Sequence, residues 1–558
     1  MLTKVQKRYY PFGNHLFFMV GDFNNQYYFS SVENIPYGYL AEAKHLSEIR
    51  GYETRLKDED GDFVKVTTKS DRFKENRFLP GEDQTRTVQL YDYSALLPFL
   101  KEGVNSDLVK QYNQGSEVYS ETGIDVDGSS EMITIQPKNL QLTVDAKLQT
   151  MLQNRIPEYL KKRWGADAKK RNLERYSIVV MDAENGDLLA SANYPLPDYD
   201  RIDESNGHYS DSNRDAAWTS FTERDLGLTY ATPPGSTAKV MSALAGLIHM
   251  NAENEHPEMN KYKFHVDKKE TIDRPVKNGQ VNYLEPYDGK YKTIVDMHDA
   301  IKYSSNCYFI NLINKHRLYE ELATVYAQAG INVNKMSPFY LQPNAEGPKD
   351  EYMDYIMTAE GRATERYDRY MEQRNPKKPE TLLNKMKGDN QFADLAWYWA
   401  WGQGNIDATP AAMARVAATA ATSRMPVTRY CMSDEVQSNQ LFSEKLAGYL
   451  QGYMQAEAYK PNRWNQWDNF YSYDMGGKTG TPERSLNGKV SNDAWYMCYV
   501  DGATIPSDKG STQSKIAIAL RIERSGASQS DYAKAMTADV VFNTLQELGY
   551  IKPVSKKK

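Results

Sequence analysis

Cysteine is scarce in this sequence: the 558 residues include three, at positions 307, 431 and 498. Their odd number and wide spacing, without a CxxC pair, support neither a disulfide framework nor a zinc ribbon. The HExxH pattern of zinc proteases, a complete GxGxxG and the GxSxG of serine hydrolases are missing as well. These absences argue against several common metal, dinucleotide and Ser-His-Asp enzymes.

An excess of positive charge and long apolar runs are also missing. With 68 Lys and Arg against 74 Asp and Glu, the net charge is −6, so no overall basic field attracts nucleic acid. The longest apolar runs, residues 16–20 and the segment after Ser236, fall short of the ~20 residues that span a membrane. No signal peptide follows Met1. The abrupt polar start favours the soluble part of a protein anchored elsewhere over a cytoplasmic protein.

The most informative stretch of the sequence is residues 233–248. Residues 233–235 read Pro-Pro-Gly, which is turn chemistry, and apolar residues at helical spacing follow as far as Ile248. This pattern predicts a buried helix with Ser236 at its N-terminus and Lys239 one turn later on the same face. Burial there lowers the pKa of a lysine. A neutral amine within reach of the hydroxyl can act as a general base, so the pair is a candidate activated nucleophile.

The Ser-x-x-Lys pattern alone is weak evidence for a catalytic site, because ordinary composition predicts roughly a couple of matches in a chain of this length. Two further motifs strengthen it. Ser304-x-Asn306 and Lys478-Thr479-Gly480 follow it in order, and Lys-Thr-Gly occurs once, where composition predicts roughly a tenth of a match. In this order the three motifs match the serine–lysine set of penicillin-binding proteins and class A β-lactamases.

The segments around these motifs predict an antiparallel sheet built by both halves of the chain. Residues 176–181 and 188–192 flank a Glu-Asn-Gly-Asp turn and predict a hairpin, and residues 494–500 and 514–522 predict two later strands that follow the Lys-Thr-Gly motif. Helices are predicted after Asp145, between 293 and 317 with an interruption at 303–306, over 409–422 and over 531–550. The predicted fold is α+β, an antiparallel sheet flanked by helices, with a helical subdomain.

The sequence resembles the class B penicillin-binding proteins, the monofunctional transpeptidases of peptidoglycan synthesis, beyond the three motifs. The similar segments are Leu142-Thr143-Val144-Asp145, residues 180–190, Tyr194-Pro195, Asn213-Arg214, residues 230–239, Gly402-Gln403-Gly404, Thr409-Pro410 and Trp495. Together they cover about residues 140–550. The resemblance implies the penicillin-binding-protein/β-lactamase-like transpeptidase fold, with no metal or organic cofactor.

The resemblance also implies catalytic roles. Ser236 would attack a D-Ala-D-Ala peptide bond, and Lys239 would take its proton. Lys478 would help to keep Lys239 neutral through like-charge repulsion. Ser304 would relay a proton to the leaving D-alanine nitrogen, and Asn306 would orient the lysine and the substrate amide. Which group is the acylation base is disputed for parts of this superfamily and stays open here.

The resemblance implies that the third motif and the residue after it bind the substrate. Lys478 and the hydroxyls of Thr479 and Thr481 would hold the terminal carboxylate of the substrate. Gly480 would leave room for the substrate to lie along the strand edge. The backbone N–H groups of Ser236 and Thr481 would form the oxyanion hole.

We expect three parts in the chain. An N-terminal, non-catalytic, pedestal-like domain over residues 1–139 precedes a transpeptidase domain over 140–552, which carries a charged insertion at about 332–392, and a disordered basic tail over 553–558 ends the chain. The resemblance implies an extracytoplasmic location on the periplasmic side of the inner membrane. The expected partners are peptidoglycan stem peptides as D-Ala-D-Ala donor and amine acceptor, β-lactam antibiotics, and a membrane glycosyltransferase or wall-synthesis complex, but not nucleic acid.

Two alternatives stay open. A D,D-carboxypeptidase or a β-lactamase would use the same fold, although no deacylating glutamate can be assigned among Glu346, Glu351 and Glu360. A catalytically silent β-lactam sensor or scaffold is the other alternative, and the intact motifs count against it.

Overall fold

A computed structural model describes residues 12–16, 139–165, 174–196, 225–228, 230–265, 294–333, 399–402, 406–460, 470–486, 489–507, 510–523, 525 and 530–553. The predicted N-terminal domain, the insertion and the basic tail lie almost entirely outside these residues, so the three domain boundaries stay predictions. The first two residues of the predicted insertion, Asn332–Val333, form a short strand. Asn213-Arg214 and the three candidate glutamates at 346, 351 and 360 also lie outside the described residues.

The described helices and strands follow one another in a fixed order along the chain. The first half has α1 Ala146–Trp164, β1 Arg175–Asp182, β2 Leu188–Tyr194, α2 Ala238–Ala252, β3 Phe264–His265, β4 Ile294–Val295, α3 Met297–Tyr303, α4 Asn306–His316, α5 Tyr319–Ala329 and β5 Asn332–Val333. The second half has β6 Ile406–Asp407, α6 Pro410–Thr422, β7 Arg424–Pro426, β8 Ser438–Gln440, α7 Glu444–Ala458, β9 Met475–Gly480, β10 Glu483–Leu486, β11 Lys489–Asn492, β12 Ala494–Ser507, β13 Gly510–Glu523, α8 Ser530–Met536 and α9 Asn543–Glu547.

Five strands form one antiparallel sheet in the order β2-β1-β13-β12-β9. The hairpin β1–β2 comes from the first half of the chain and the other three strands from its end, so the prediction of a sheet closed by both halves is confirmed. Within the described residues, β9 pairs with β12 alone and leaves its other edge free. The α+β fold with its helix-flanked antiparallel sheet is therefore confirmed.

Each face of the sheet carries its own apolar core, because successive side chains of a strand point to opposite faces. The front face, which includes Val179 and Met497, packs against α2, α4 and α6. The back face, which includes Val180 and Cys498, packs against α1 and the C-terminal helices. The sheet is thus the middle layer of three, and the functional motifs lie between its front face and the helices.

The predicted helix starts are confirmed by their capping contacts. Asp145 caps α1 by accepting hydrogen bonds from the backbone N–H groups of Lys147 at 2.8 Å and Leu148 at 3.0 Å. The Thr409 hydroxyl oxygen accepts the Ala412 N–H at 3.1 Å, and Pro410 occupies the first turn of α6, where its missing N–H costs nothing.

The Lys-Thr-Gly motif precedes the two predicted strands, which are β12 and β13, and it also forms the end of a strand of its own, β9. One prediction about the second half of the chain is wrong in detail. The single helix predicted over 531–550 is three consecutive segments, α8, a π-helical turn at Thr537–Phe542 and α9. Amphipathic spacing does not reveal one residue inserted into a helical turn, so the sequence could not show the π segment. None of the helices described here is both long and apolar enough to cross a membrane.

Candidate active site

The predicted nucleophile lies at a tight turn that leads into α2. Gly235–Thr237 form a 3₁₀ turn, and α2 continues from Ala238. Gly235 has φ +57°, and a Cβ there would lie 2.7 Å from the Pro482 backbone nitrogen, so the position requires glycine. The Thr237 hydroxyl donates to the Pro234 carbonyl oxygen at 2.7 Å. These contacts hold Ser236 at the N-terminal end of the helix, next to the residues that follow β9.

The structure brings Ser236, Lys239 and Ser304 into direct contact. Lys239 Nζ lies 2.6 Å from Ser236 Oγ and 3.0 Å from Ser304 Oγ. The Lys239 side chain is buried, with 1% of its surface exposed. Burial, and next the positive charge of Lys478, hold the pKa of Lys239 well below its usual value, while Cys307 acts weakly in the other direction. In its neutral form the Lys239 amine can accept a hydrogen bond from the Ser236 hydroxyl at this distance, which is the arrangement that a general base requires.

Ser304 reaches Lys239 from a sharp break between two helices. It ends α3 in the left-handed conformation with φ 60° and ψ 45°, and its N–H donates to the Ala300 carbonyl oxygen. Ser305 then caps α4 by accepting the Tyr308 N–H at 3.2 Å. The predicted interruption at 303–306 is confirmed. Asn306 begins α4 half-buried, two residues after Ser304, and its predicted orienting role stays a prediction.

The third motif forms the edge strand that borders this site. Lys478 pairs with Met497, Thr479 with Tyr496 and Gly480 with Trp495. Directly opposed side chains share a face of the sheet, so Lys478 and Gly480 belong to the front face and Thr479 to the back face.

Gly480 is where β9 approaches the nucleophile turn most closely. A Cβ on Gly480 would lie 2.7 Å from the Pro234 carbonyl oxygen and 3.0 Å from Thr237 Cγ2. Only glycine lets the strand pass this turn, and the predicted role of Gly480 in leaving room for substrate stays a prediction. Thr481 follows at once, half-buried, between Gly480 and the Pro482 that touches Gly235. Ser236 and Thr481 therefore lie in adjacent segments, and the oxyanion hole formed by their backbone N–H groups stays a prediction.

Lys478 and Thr479 contact a residue that no motif indicated. Lys478 is 1% exposed, and its Nζ donates to the Thr479 carbonyl oxygen at 3.1 Å. Burial lowers the pKa of Lys478 to about 8, Glu457 opposes this shift, and Lys460 and Lys534 add to it. The Thr479 hydroxyl, predicted to bind substrate, donates to Glu457 Oε1 at 2.8 Å in this structure.

Arg521 is a second residue that sequence reasoning missed. It is 1% exposed on β13, and its guanidinium donates to the carbonyl oxygens of Tyr230 at 2.6 Å and Leu226 at 2.9 Å. It also lies between the Tyr230 and Trp495 rings, with its central carbon 5.1 Å and 5.4 Å from their centroids. Arg521 thereby fixes the segment that leads to Ser236. No local pattern could indicate this, because the contacts join distant parts of the chain.

One group among the described residues has metal-ligand character, Asp296 with His298 and Asp299. Asp296 caps α3 by accepting the Asp299 N–H at 2.8 Å, and His298 lies 3.5 Å from Asp299. Helix capping accounts for this cluster, so we assign no metal to it.

The fold and the site together define a class of protein. A serine hydroxyl bound to a buried lysine amine, beside a second lysine on a free sheet edge, is an acyltransferase site of the serine–lysine type. Residues 176–541, more than half of the chain, match the family model of the penicillin binding protein transpeptidase domain. The chain therefore belongs to this family, whose transpeptidases act in peptidoglycan synthesis. The match confirms, for the transpeptidase domain, the resemblance to class B penicillin-binding proteins.

Solved structures similar to this chain include three penicillin-binding proteins at low identity. The penicillin-binding protein A of Mycobacterium tuberculosis has 17% identity and a TM-score of 0.45, over 74% of this chain and 83% of that chain. The transpeptidase domain of Burkholderia pseudomallei penicillin-binding protein 3 has 14% identity and a TM-score of 0.45, over 74% and 97%. Pseudomonas aeruginosa penicillin-binding protein 2 has 18% identity and a TM-score of 0.46, over 81% and 89%. No curated protein sequence matches this chain.

Proposed function

We propose that this protein is a peptidoglycan D,D-transpeptidase, which cross-links stem peptides through an acyl-enzyme on Ser236 and is acylated by β-lactams at the same residue. The observation that carries the proposal is the three-way contact of Ser236, Lys239 and Ser304, at 2.6 Å and 3.0 Å, next to the free edge of β9. A substrate strand laid along that edge would bring its scissile carbonyl to Ser236.

Acylation uses the buried lysine as the proton carrier. Ser236 Oγ attacks the carbonyl carbon of the penultimate D-alanine while its proton moves to Lys239 Nζ. The backbone N–H groups of Ser236 and Thr481 stabilise the oxyanion that forms. Lys239 then returns a proton through Ser304 Oγ to the leaving D-alanine nitrogen, the amide bond breaks and a serine ester remains.

The second half of the reaction transfers the acyl group to an amine. The amine of a neighbouring stem peptide attacks the ester carbonyl and gives up a proton to Lys239, and Lys239 passes this proton to Ser236 Oγ as the ester bond breaks. A new amide bond forms and the enzyme is restored. Lys478 attracts the terminal carboxylate of the donor, which a β-lactam carboxylate imitates.

Intact-mass spectrometry after brief exposure to benzylpenicillin tests the proposal. We expect a single stable adduct that a peptide map places on Ser236, and no adduct on the Ser236→Ala variant, whose melting temperature stays that of the parent. Labelling that survives in Ser236→Ala would overturn the assignment. No adduct with the antibiotic hydrolysed would indicate a β-lactamase, and no adduct with the antibiotic intact would indicate a scaffold.

The cellular setting is part of the proposal. We place the site on the periplasmic side of the inner membrane, because peptidoglycan is assembled there, and we expect a membrane glycosyltransferase or wall-synthesis complex as the partner. Fractionation of cells that produce the protein from its own gene tests the location, and recovery in the soluble cytoplasmic fraction would contradict it.

A further inference from the structure

Glu457 is a buried carboxylate at the free edge of the active-site strand. It lies in the last turn of α7 and is 4% exposed. Its Oε1 accepts two hydrogen bonds from Thr479, one from the backbone N–H at 3.2 Å and one from the hydroxyl at 2.8 Å. The N–H points away from β12, the described strand that pairs with β9. Glu457 therefore occupies the edge of β9 immediately before Gly480 and Thr481.

The path of α7 explains how a helix residue reaches this edge. Leu446 and Leu450, near the start of α7, belong to the front core, whereas Ala458 at its end belongs to the back core. The last turn consequently passes around the free edge of the sheet, from the face that holds Ser236 to the opposite face. Substrate can lie along β9 only beyond this turn, where the edge is open.

Two buried lysines contact Glu457. Lys478 Nζ lies 4.0 Å from Glu457 Oε1, and the Nζ of Lys534, from α8, donates to the Glu457 backbone oxygen at 3.1 Å. Both lysines are buried, at 1% and 4% exposure, and Lys460 follows α7. Burial of so much positive charge without a counterion is costly, and Glu457 is the carboxylate that acts on both Lys478 and Lys534.

We infer that Glu457 is a positioning residue of the acylation site, which holds Thr479 in place at the strand edge and keeps the neighbouring Lys478 in its charged form. The inference rests on the proposed function, since charged Lys478 is the group that attracts the donor carboxylate. Thr479 needs only a hydrogen bond acceptor at position 457, which a neutral side chain can supply. Lys478 needs a negative charge there to keep its own charge. A variant that keeps the acceptor but removes the charge therefore distinguishes an electrostatic role of Glu457 from a purely structural one.

The groups that face Lys478 fix the direction of the effect. Burial disfavours its charged form most, and the positive charges of Lys460 and Lys534 act in the same sense. Glu457 is the group that favours it. Loss of the Glu457 charge therefore lowers the pKa of Lys478 from about 8, so the lysine loses its charge at a lower pH.

The pH profile of acylation in Glu457→Gln tests the inference. Gln keeps the shape and an acceptor for Thr479 but removes the charge. We expect the alkaline fall in the benzylpenicillin acylation rate to move toward acid by about one pH unit or more. Glu444→Gln is the matched control, because it removes the same charge from the exposed first turn of α7 and should leave the profile unchanged. Glu457→Asp keeps the charge and should restore most of the parent profile.

A second readout does not depend on acylation. NMR of protein labelled with ¹³Cε-lysine reports the protonation of Lys478 directly. The Lys478 resonance is the one that is absent from the spectrum of Lys478→Arg. This resonance should titrate at lower pH in Glu457→Gln than in the parent protein. An unchanged titration in a folded Glu457→Gln protein would overturn the inference even if no β-lactam binds. A parent protein that is never acylated would overturn the proposed function alone, because the titration would still report on Glu457. If Glu457→Gln does not fold, Glu457→Asp becomes the deciding variant. Because aspartate keeps the negative charge, a complete loss of acylation by Glu457→Asp at every pH would contradict a charge effect.

Discussion

The backbone N–H of Gly235 donates a hydrogen bond to the carbonyl oxygen of Gly402 at 2.9 Å. Gly402 has φ +86°, and a Cβ on it would overlap the Gly235 carbonyl oxygen. Ser242, on the first turns of α2, donates its hydroxyl to the neighbouring Ala400 carbonyl oxygen at 2.7 Å. The segment that contains Ala400 and Gly402 therefore supports the turn that carries Ser236, although it is far from this turn in the sequence. Substitutions in this segment should displace Ser236.

We expect Gly402→Ala to lower both stability and acylation. The new methyl group meets the Gly235 backbone, and alanine resists a positive φ, so the cost should be about 2 kcal/mol or more in the free energy of unfolding. Gly452→Ala is the matched control. Gly452 is exposed within α7 with open space around it, so alanine there should stabilise the protein by about 0.5–1 kcal/mol. Urea unfolding and acylation rates of both variants check this, and a Gly402→Ala protein with parent behaviour would contradict it.

Lys239→Arg should abolish most of the acylation while the fold survives. Arginine keeps a positive charge at any working pH, so it cannot take the proton of Ser236 at 2.6 Å. Loss of a general base typically lowers a rate about a hundredfold to ten-thousandfold. Stopped-flow acylation by a chromogenic β-lactam measures the effect, and circular dichroism reports the fold. A rate within about threefold of the parent would remove Lys239 from its role as base.

The acylation rate should follow a bell-shaped pH profile. Lys239 must be neutral, and its lowered pKa means that activity rises with pH as this lysine loses its proton. Lys478 must be charged, and its pKa of about 8 means that activity falls again as the pH rises through 8. Lys478→Arg, which stays charged, should lose the alkaline fall but keep the acid rise. A parent rate that keeps rising beyond pH 9 would contradict the assignment of Lys478.

Arg521→Lys should weaken the segment before the nucleophile. Lysine cannot reach both the Tyr230 and Leu226 carbonyl oxygens, and it loses the planar contact with Trp495. Two hydrogen bonds to a charged donor are together worth about 3 kcal/mol, so the melting temperature should fall measurably. Acylation should fall in parallel at a temperature where the protein remains folded. The control is Arg163→Lys, since Arg163 is half-buried in the last turn of α1, beside the rings of Tyr159 and Tyr532, and a lysine there keeps the positive charge near both rings, so it should change stability less.

Local patterns in the sequence were sufficient to locate the sheet hairpin, the start of α2, the break before Asn306 and the cap at Asp145. Each depends on neighbouring residues: turn residues, helical spacing or a capping side chain. The Lys-Thr-Gly motif was recognised, but the bounds of its strand, Met475–Gly480, were not predicted, because glycines and a lysine do not alternate like a strand. The order of three motifs, and not any one of them, carried the family assignment.

Only the tertiary structure decided which distant groups meet. Glu457 contacts Thr479, Arg521 fixes the segment at Tyr230, and Gly402 supports Gly235, and none of these pairs lies in one local element. The lowered pKa values of Lys239 and Lys478 likewise depend on burial between the sheet and the helices. A sequence determines which residues can do chemistry and which local turns present them. Their charge states and mutual distances follow from packing, because desolvation and proximity exist only once the chain has folded.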